Sequence, residues 1–101
     1  MYQNCQVELK MLQSFLKDSV PDENKYSCKV IHYLPEKELL YLLTGKSELT
    51  EYSLDAIYQC DIKTEDDRVR CKGIILERYW NELGKILVFQ VKNGFYKKSL
   101  N

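Results

Sequence analysis

The chain has 101 residues, of which 45% are hydrophobic and 30% are charged, a composition typical of folded domains and not of disordered chains. Its 15 Lys and Arg residues balance 15 Asp and Glu residues, so bulk charge does not draw the protein to nucleic acid or to an anionic membrane. The longest apolar runs are far shorter than a membrane helix, and the N-terminus lacks the layout of a secretory signal. We therefore expect residues 1–101 to form one cytoplasmic domain without a membrane partner.

The N-terminal segment carries two overlapping apolar periods. The odd-numbered positions 5–11 alternate as in a strand, whereas apolar residues also recur at helical spacing through Leu12 and Leu16. The Gln, Glu, Lys, Leu and Met content favours a helix, and Pro21 is a stop signal. The balance predicts a helix over residues 3–18.

The next segments are a strand and an ambiguous leucine-rich run. Residues 26–34 alternate as in a half-buried strand, and Pro35 ends it. Proline at a first helical position, acids in the first turn and Gly45 as a stop favour a short helix across residues 36–44. A strand is the second interpretation of the same residues.

The second half of the chain has the pattern of a sheet. Alternating or β-branched runs are separated by turn-forming residues, and Asn93-Gly94 is a favoured pair for a two-residue type I′ turn. Strands joined by short turns normally pair as neighbours. We expect an antiparallel meander of strands at residues 56–62, 68–79, 86–92 and 95–98.

Together these elements predict an α+β fold. The N-terminal helix packs on an antiparallel β-meander, with a sheet mainly at residues 26–34 and 56–98 that either stays open or closes into a small β-barrel. The residues expected in the core are Leu12, Phe15, Leu16, Val30, Tyr58, Cys60, Val69, Ile75, Val88 and Phe89.

The residues that could carry chemistry are few. Four cysteines, at positions 5, 28, 60 and 71, are expected to be reduced and buried, and no CxxC or HxxxH spacing indicates a metal. The single histidine, His32, lies on an alternating strand, where a partly buried, hydrogen-bonded side chain is commoner than a general base. No glycine-rich cofactor fingerprint is present. We therefore predict a protein that is not an enzyme and that holds no cofactor or metal.

The least ordinary feature is one strand that is cationic and aromatic. Its even-numbered residues share one face, cationic at both ends and apolar in the middle. Such a surface can hold a phosphate ligand or single-stranded nucleic acid, can form a protein interface, or can simply be solvated. The ligand or interface candidates are Arg68, Arg70, Lys72, Arg78, Tyr79 and Trp80.

Residues 50–98, in their strand order and in the stretch Glu51-Tyr52-Ser53-Leu54-Asp55-Ala56, are similar to the PilZ superfamily of small β-barrels, and the small format looks bacterial. PilZ domains that bind cyclic di-GMP carry an RxxxR pair and a [D/N]xSxxG motif. Here Glu51 and Ala56 depart from the second motif, and no two arginines are four residues apart. The resemblance implies a member that has lost the nucleotide site and acts in protein interaction or regulation.

These observations predict a small non-catalytic binding or regulatory module that acts through protein–protein contact, with another protein or as a homodimer. The alternative is a β-barrel that binds an anionic ligand, either a cyclic dinucleotide or single-stranded nucleic acid. Nucleic acid and cyclic di-GMP are both disfavoured, because neither the net charge nor the motifs support them.

Overall fold

The computed structural model describes residues 2–16 and 21–97, which contain six antiparallel strands closed into a barrel. Around the barrel the strands follow the order β1-β2-β3-β6-β5-β4, and β4 pairs back with β1. Two single-turn 3-10 helices, Pro35–Lys37 and Leu49–Glu51, lie in the connections. The strands are β1 (Gln6–Ser14), β2 (Lys25–Leu34), β3 (Leu39–Thr44), β4 (Ala56–Lys63), β5 (Arg68–Asn81) and β6 (Gly84–Lys97).

The interior of the barrel is filled by the alternating apolar residues of the strands. Along β4, for example, every second residue from Ala56 to Ile62 is buried, as expected for strands that turn one face to a core. The predicted meander of β4, β5 and β6 and the closure of the sheet into a barrel are confirmed. Of the expected core, the residues that are buried are Val30, Tyr58, Cys60, Val69, Ile75, Val88 and Phe89.

The predicted helix over residues 3–18 is wrong, because Gln6–Ser14 forms strand β1, and the α+β fold class that depended on this helix is not confirmed. The strand contains a β-bulge: Met11 and Gln13 occupy successive positions opposite β4, so Leu12 is an extra residue. One inserted residue shifts the alternation by one position and gives the apolar residues a spacing that resembles a helix. The bulge is therefore the physical reason for the error.

Three residues assigned to the core through that helix are exposed. Leu12, Phe15 and Leu16 have exposed fractions of 39%, 57% and 54%. The last two residues of the predicted helix, 17 and 18, lie outside the described residues. The N-terminal segment therefore adds apolar surface to the outside of the barrel as well as apolar side chains to its core.

The leucine-rich run at 36–44 is a strand, so the helical interpretation is wrong and the second interpretation is confirmed. The 3-10 turn ends at Glu38, whose φ of 54° reverses the chain into β3. Strand β3 lies between β2 and β6 and pairs with both. Its leucines cover both faces, which in the sequence made the strand resemble a helix.

The predicted turn at Asn93-Gly94 is also wrong, because β6 continues through both residues to Lys97. A chain that folded back there would need a free edge, but residues 86–90 are already paired with β3 on one side and β5 on the other. Strand β5 is long enough to pair residues 93–97 as well. The separate strand 95–98 is therefore absent up to residue 97, and residue 98 lies outside the described part of the chain.

Three of the four cysteines are buried, as predicted, and none forms a disulfide. Burial raises the pKa of the Cys28 thiol to about 11, and the hydrogen bond to Cys71 together with burial raises the pKa of Cys60. Cys5 is half-buried near the N-terminus. The thiols of Cys28 and Cys60 therefore stay protonated at neutral pH, and the three core cysteines act as packing groups.

No helix within residues 2–16 and 21–97 is long and apolar enough to cross a membrane.

Candidate functional site

Three of the predicted site residues, Arg68, Arg70 and Lys72, lie on the outer face of β5, but they do not converge on one pocket. Arg70 is half-buried and makes two hydrogen bonds to Asp61 on β4, with Nε–Oδ1 and Nη2–Oδ2 distances of 2.7 and 3.1 Å. This planar, two-point geometry is the strongest form of an arginine–carboxylate pair. Arg70 is therefore occupied as a link between β5 and β4.

Arg68 and Lys72 line two different hollows. Arg68 lies on a shallow groove of about 160 Å³ whose charged lining is mixed, since Glu8 and Asp61 accompany Lys63. Lys72 lines a larger groove, described below. The cations of β5 thus do not form one anion-binding pocket.

A β-bulge in β5 separates Arg78 and Trp80 from the earlier cations. Ile75 pairs with Phe89 and Glu77 with Val88, so Leu76 is an extra residue. Directly opposed residues point to the same side of a sheet. The prediction that even-numbered residues from 68 to 80 share a face is wrong, because the bulge reverses the alternation after Ile75.

Arg78, turned by that bulge, contacts the segment that runs from the second 3-10 helix to Tyr52. It pairs with the core residue Leu87, and its Nη1 donates hydrogen bonds to the carbonyl oxygens of Leu49, at 3.2 Å, and Tyr52. Tyr52 is fully buried, with its ring centroid 4.9 Å from that of Tyr26. Arg78 therefore has a structural role in this fold.

The predicted aromatic pair lies at the β5–β6 hairpin. Trp80 is 66% exposed, and Nζ of Lys85 is 5.6 Å from its ring centroid. That ammonium group also donates to the Ser47 carbonyl oxygen at 2.9 Å and lies 3.3 Å from a carboxylate oxygen of Glu48. Tyr79 is half-buried opposite Ile86. These contacts tie the hairpin to the turn after β3.

A larger surface feature lies on the outer faces of β1, β4 and β5. Two hollows, of about 680 and 530 Å³, share this region, and Ile74 in the first is two residues from Leu76 in the second. Six apolar side chains line them, four of them 39–57% exposed. We call this surface the apolar band; its residues are Leu12, Phe15, Leu54, Ile57, Ile74 and Leu76.

Beta-bulges build the apolar band and its cationic end. The extra residue of the β1 bulge is Leu12, and that of the β5 bulge is Leu76. A further bulge in β6 lies between Val91 and Asn93, which pair with successive residues of β5, so Lys92 is extra there. Bulges redirect side chains and are frequent beside functional sites. Here they turn Leu12 and Lys92 outward into the larger groove and Leu76 outward into the second hollow.

The cationic end of the band consists of Lys72, Lys92 and the neighbouring amide of Asn93. No aspartate or glutamate is among the described residues that line this groove, and neither lysine has a carboxylate oxygen within 4.0 Å in the described part of the chain. Two ammonium groups thus lie beside exposed apolar side chains, and neither has a carboxylate partner among the side chains that the structure describes. The sequence interpretation missed Lys92 and most of the band.

A signal for the band was present in the sequence. The pairs Met11-Leu12 and Ile75-Leu76 break a two-residue alternation, with the first member buried and the second exposed. In a strand, two consecutive apolar residues indicate either two buried faces or a bulge. Only the pairing register of the strands distinguishes a bulge from a strand with two buried faces, and this register could not be predicted from the sequence.

The described residues show no cluster that could support metal chemistry. No group of three or more His, Cys, Asp or Glu side chains within residues 2–16 and 21–97 could hold a metal ion. His32 is exposed, not partly buried as expected, and its ring lies 5.9 Å from that of Tyr41. The β2 bulge between Val30 and His32 explains the difference, because it shifts the alternation before the histidine.

Comparisons with protein-family models, curated proteins and solved structures found no match to this chain.

Proposed function

We propose that this barrel is a non-catalytic binding module that contacts a protein partner through its apolar band. The observation that carries the proposal is that bulges in β1 and β5 turn Leu12 and Leu76 out of the core, so that exposed apolar side chains line two hollows on the same side of the barrel. Contiguous exposed apolar surface on a small domain usually marks a contact site. A role in protein interaction is also what the PilZ resemblance implies for a member without the nucleotide motif.

The arrangement of the cations supports the same proposal over an anionic-ligand barrel. Arg70 is paired with Asp61 and Arg78 with backbone carbonyl groups, while Arg68 lies in a groove of mixed charge. An anion site needs several donors directed at one point, whereas the two lysines that share a groove, Lys72 and Lys92, lie beside exposed apolar side chains. The exposed apolar side chains of the band offer contact area that a nucleotide would not use.

The test is the binding of an eight-residue peptide in which leucine alternates with serine, long enough to cross the band. We expect Phe15→Asp or Leu76→Asp to weaken binding about tenfold each, because a charge replaces an apolar contact. Both residues are exposed, so the fold tolerates the change. Calorimetry on the native chain and the variants measures the effect.

Leu83→Asp is the matched control, since Leu83 is 64% exposed but lies at the hairpin tip, away from the band. It should bind like the native chain. Equal weakening by all three variants, or no binding by the native chain, would contradict the proposal.

The rival ligands are tested by titration with cyclic di-GMP and with single-stranded oligonucleotides at two salt concentrations. We expect no saturable binding of either ligand below about 10 µM. Affinity that falls steeply with salt and disappears in the variant Arg68→Ala with Arg70→Ala would favour the anionic-ligand barrel instead.

A further inference from the structure

We infer that the partner segment that occupies the apolar band is acidic. Its carboxylates reach Lys72 and Lys92, which form the cationic end of the band. This inference rests on the proposed function and adds the chemistry of the partner. The groove that contains both lysines also contains Leu12, Phe15 and Ile74. A segment that combines apolar side chains with carboxylates would complement both parts of this surface.

The strand pairing of β5 and β6 sets the positions of the two lysines. Asn93 of β6 pairs with Lys72 of β5, and the β6 bulge sets Lys92 next to that pair. Lys92, Asn93 and Gly94 are consecutive and all exposed, which regular alternation would not allow. Strand β5 supplies one cation to the groove, Lys72. The β6 bulge adds a second cation, Lys92.

A second copy of the chain is a poor occupant of this surface. In a twofold dimer the same patch meets itself, so each copy would bring its Lys72 and Lys92 to the interface. The described lining of this groove has no carboxylate to neutralise them, and Glu77 in the second hollow is accompanied by the cation Arg78. Like charges across an interface disfavour association. An acidic partner avoids this repulsion.

A small carboxylate amphiphile would cover only part of the surface. Leu54 and Leu76 line a second hollow together with Glu77 and Arg78, and no lysine is among the described residues that line it. Crossing from β1 to β5 covers two strand spacings, about 10 Å, and the band extends further along the strands. A peptide segment of several residues matches this extent.

The experiment compares three eight-residue peptides in which leucine alternates with glutamate, serine or lysine. We expect the glutamate peptide to bind at least tenfold more tightly than the serine peptide, and the lysine peptide to bind more weakly than either. Raising the salt concentration should reduce the advantage of the glutamate peptide. Fluorescence anisotropy of labelled peptides measures the three affinities.

Charge reversal of the groove provides the decisive variant. In Lys72→Glu with Lys92→Glu the order should invert, so that the lysine peptide binds most tightly. Lys46→Glu is the control: it changes an exposed lysine in the turn after β3, which does not line the groove, and should leave the order unchanged. Circular dichroism confirms that each variant keeps the native fold.

The outcomes separate this inference from the proposed function. Equal binding of all three peptides at the band would overturn the acidic partner and leave the protein-binding role in place. If none of the three peptides binds, both the acidic partner and the protein-binding role are overturned. Decanoate that binds as tightly as the glutamate peptide would assign the groove to a small amphiphile. Concentration-dependent dimerisation that Leu76→Asp abolishes would assign the band to a second copy.

Discussion

Replacing Tyr52 by alanine is expected to lower the free energy of unfolding by about 3–5 kcal/mol, the range for truncating a large buried aromatic side chain. Tyr52 is fully buried, packs against Tyr26 and belongs to the segment that Arg78 contacts. Small domains have about 5–15 kcal/mol of stability in total, so the loss is a large part of it. Denaturant unfolding followed by circular dichroism measures the change.

Tyr52→Phe is the control for the hydroxyl group, which lies 3.7 Å from the Cys28 sulfur. Phenylalanine keeps the ring, so we expect a loss of less than about 1 kcal/mol. If alanine and phenylalanine cost the same small amount, Tyr52 does not fill the core and the description of this segment is incorrect.

Gly73→Ala is expected to destabilise the barrel by about 3 kcal/mol, the upper end of the range for overpacking. A Cβ atom on Gly73 would overlap the carbonyl oxygen of Gln90 and lie 2.9 Å from its carbonyl carbon. The obstacle is backbone of the paired strand β6, so it cannot move as a flexible side chain would. The midpoint of denaturant unfolding should fall accordingly.

Gly94→Ala is the matched control on β6, because a Cβ atom there would have no atom within 4 Å. We expect a change within about 0.5 kcal/mol. A large loss at Gly94 with none at Gly73 would contradict the register between β5 and β6, in which Gly73 pairs with Val91.

Three strands that alternate over most of their length could be predicted from the sequence. Residues 26–34, 56–62 and 68–79 match β2, β4 and β5 closely, because each has one face in the core and one outside. That pattern is local, and it depends only on which side chains prefer burial. The predicted turn between β5 and β6 was also confirmed, and with it the meander of β4, β5 and β6.

The errors occurred where strand pairing overrides the local pattern. The bulge at Leu12 made β1 resemble a helix, and the long β5–β6 ladder extended β6 through Asn93-Gly94. Asparagine–glycine pairs favour a hairpin only when the next segment has a free edge beside which to pair. The closed barrel leaves residues 86–90 without one.

The candidate site was predicted only in part for the same reason. Lys72 was named from its strand, but the groove depends on a bulge in β6 that adds Lys92 and one in β1 that adds Leu12. Arg70 was named as a ligand or interface candidate, whereas the structure pairs it with Asp61 of a neighbouring strand. The charge of single residues was readable, but their exposure and their combination required the register of four strands.

The most direct test of the apolar band as a binding surface is a map of backbone amide NMR shifts during titration with the leucine–serine peptide. The band should respond first, with the largest shifts at Leu12, Ile57, Ile74 and Lys92. Residues of the hairpin tip around Leu83 and of the polar groove around Arg68 should change little. Shifts concentrated at either of those places, or spread evenly over the barrel, would contradict the account.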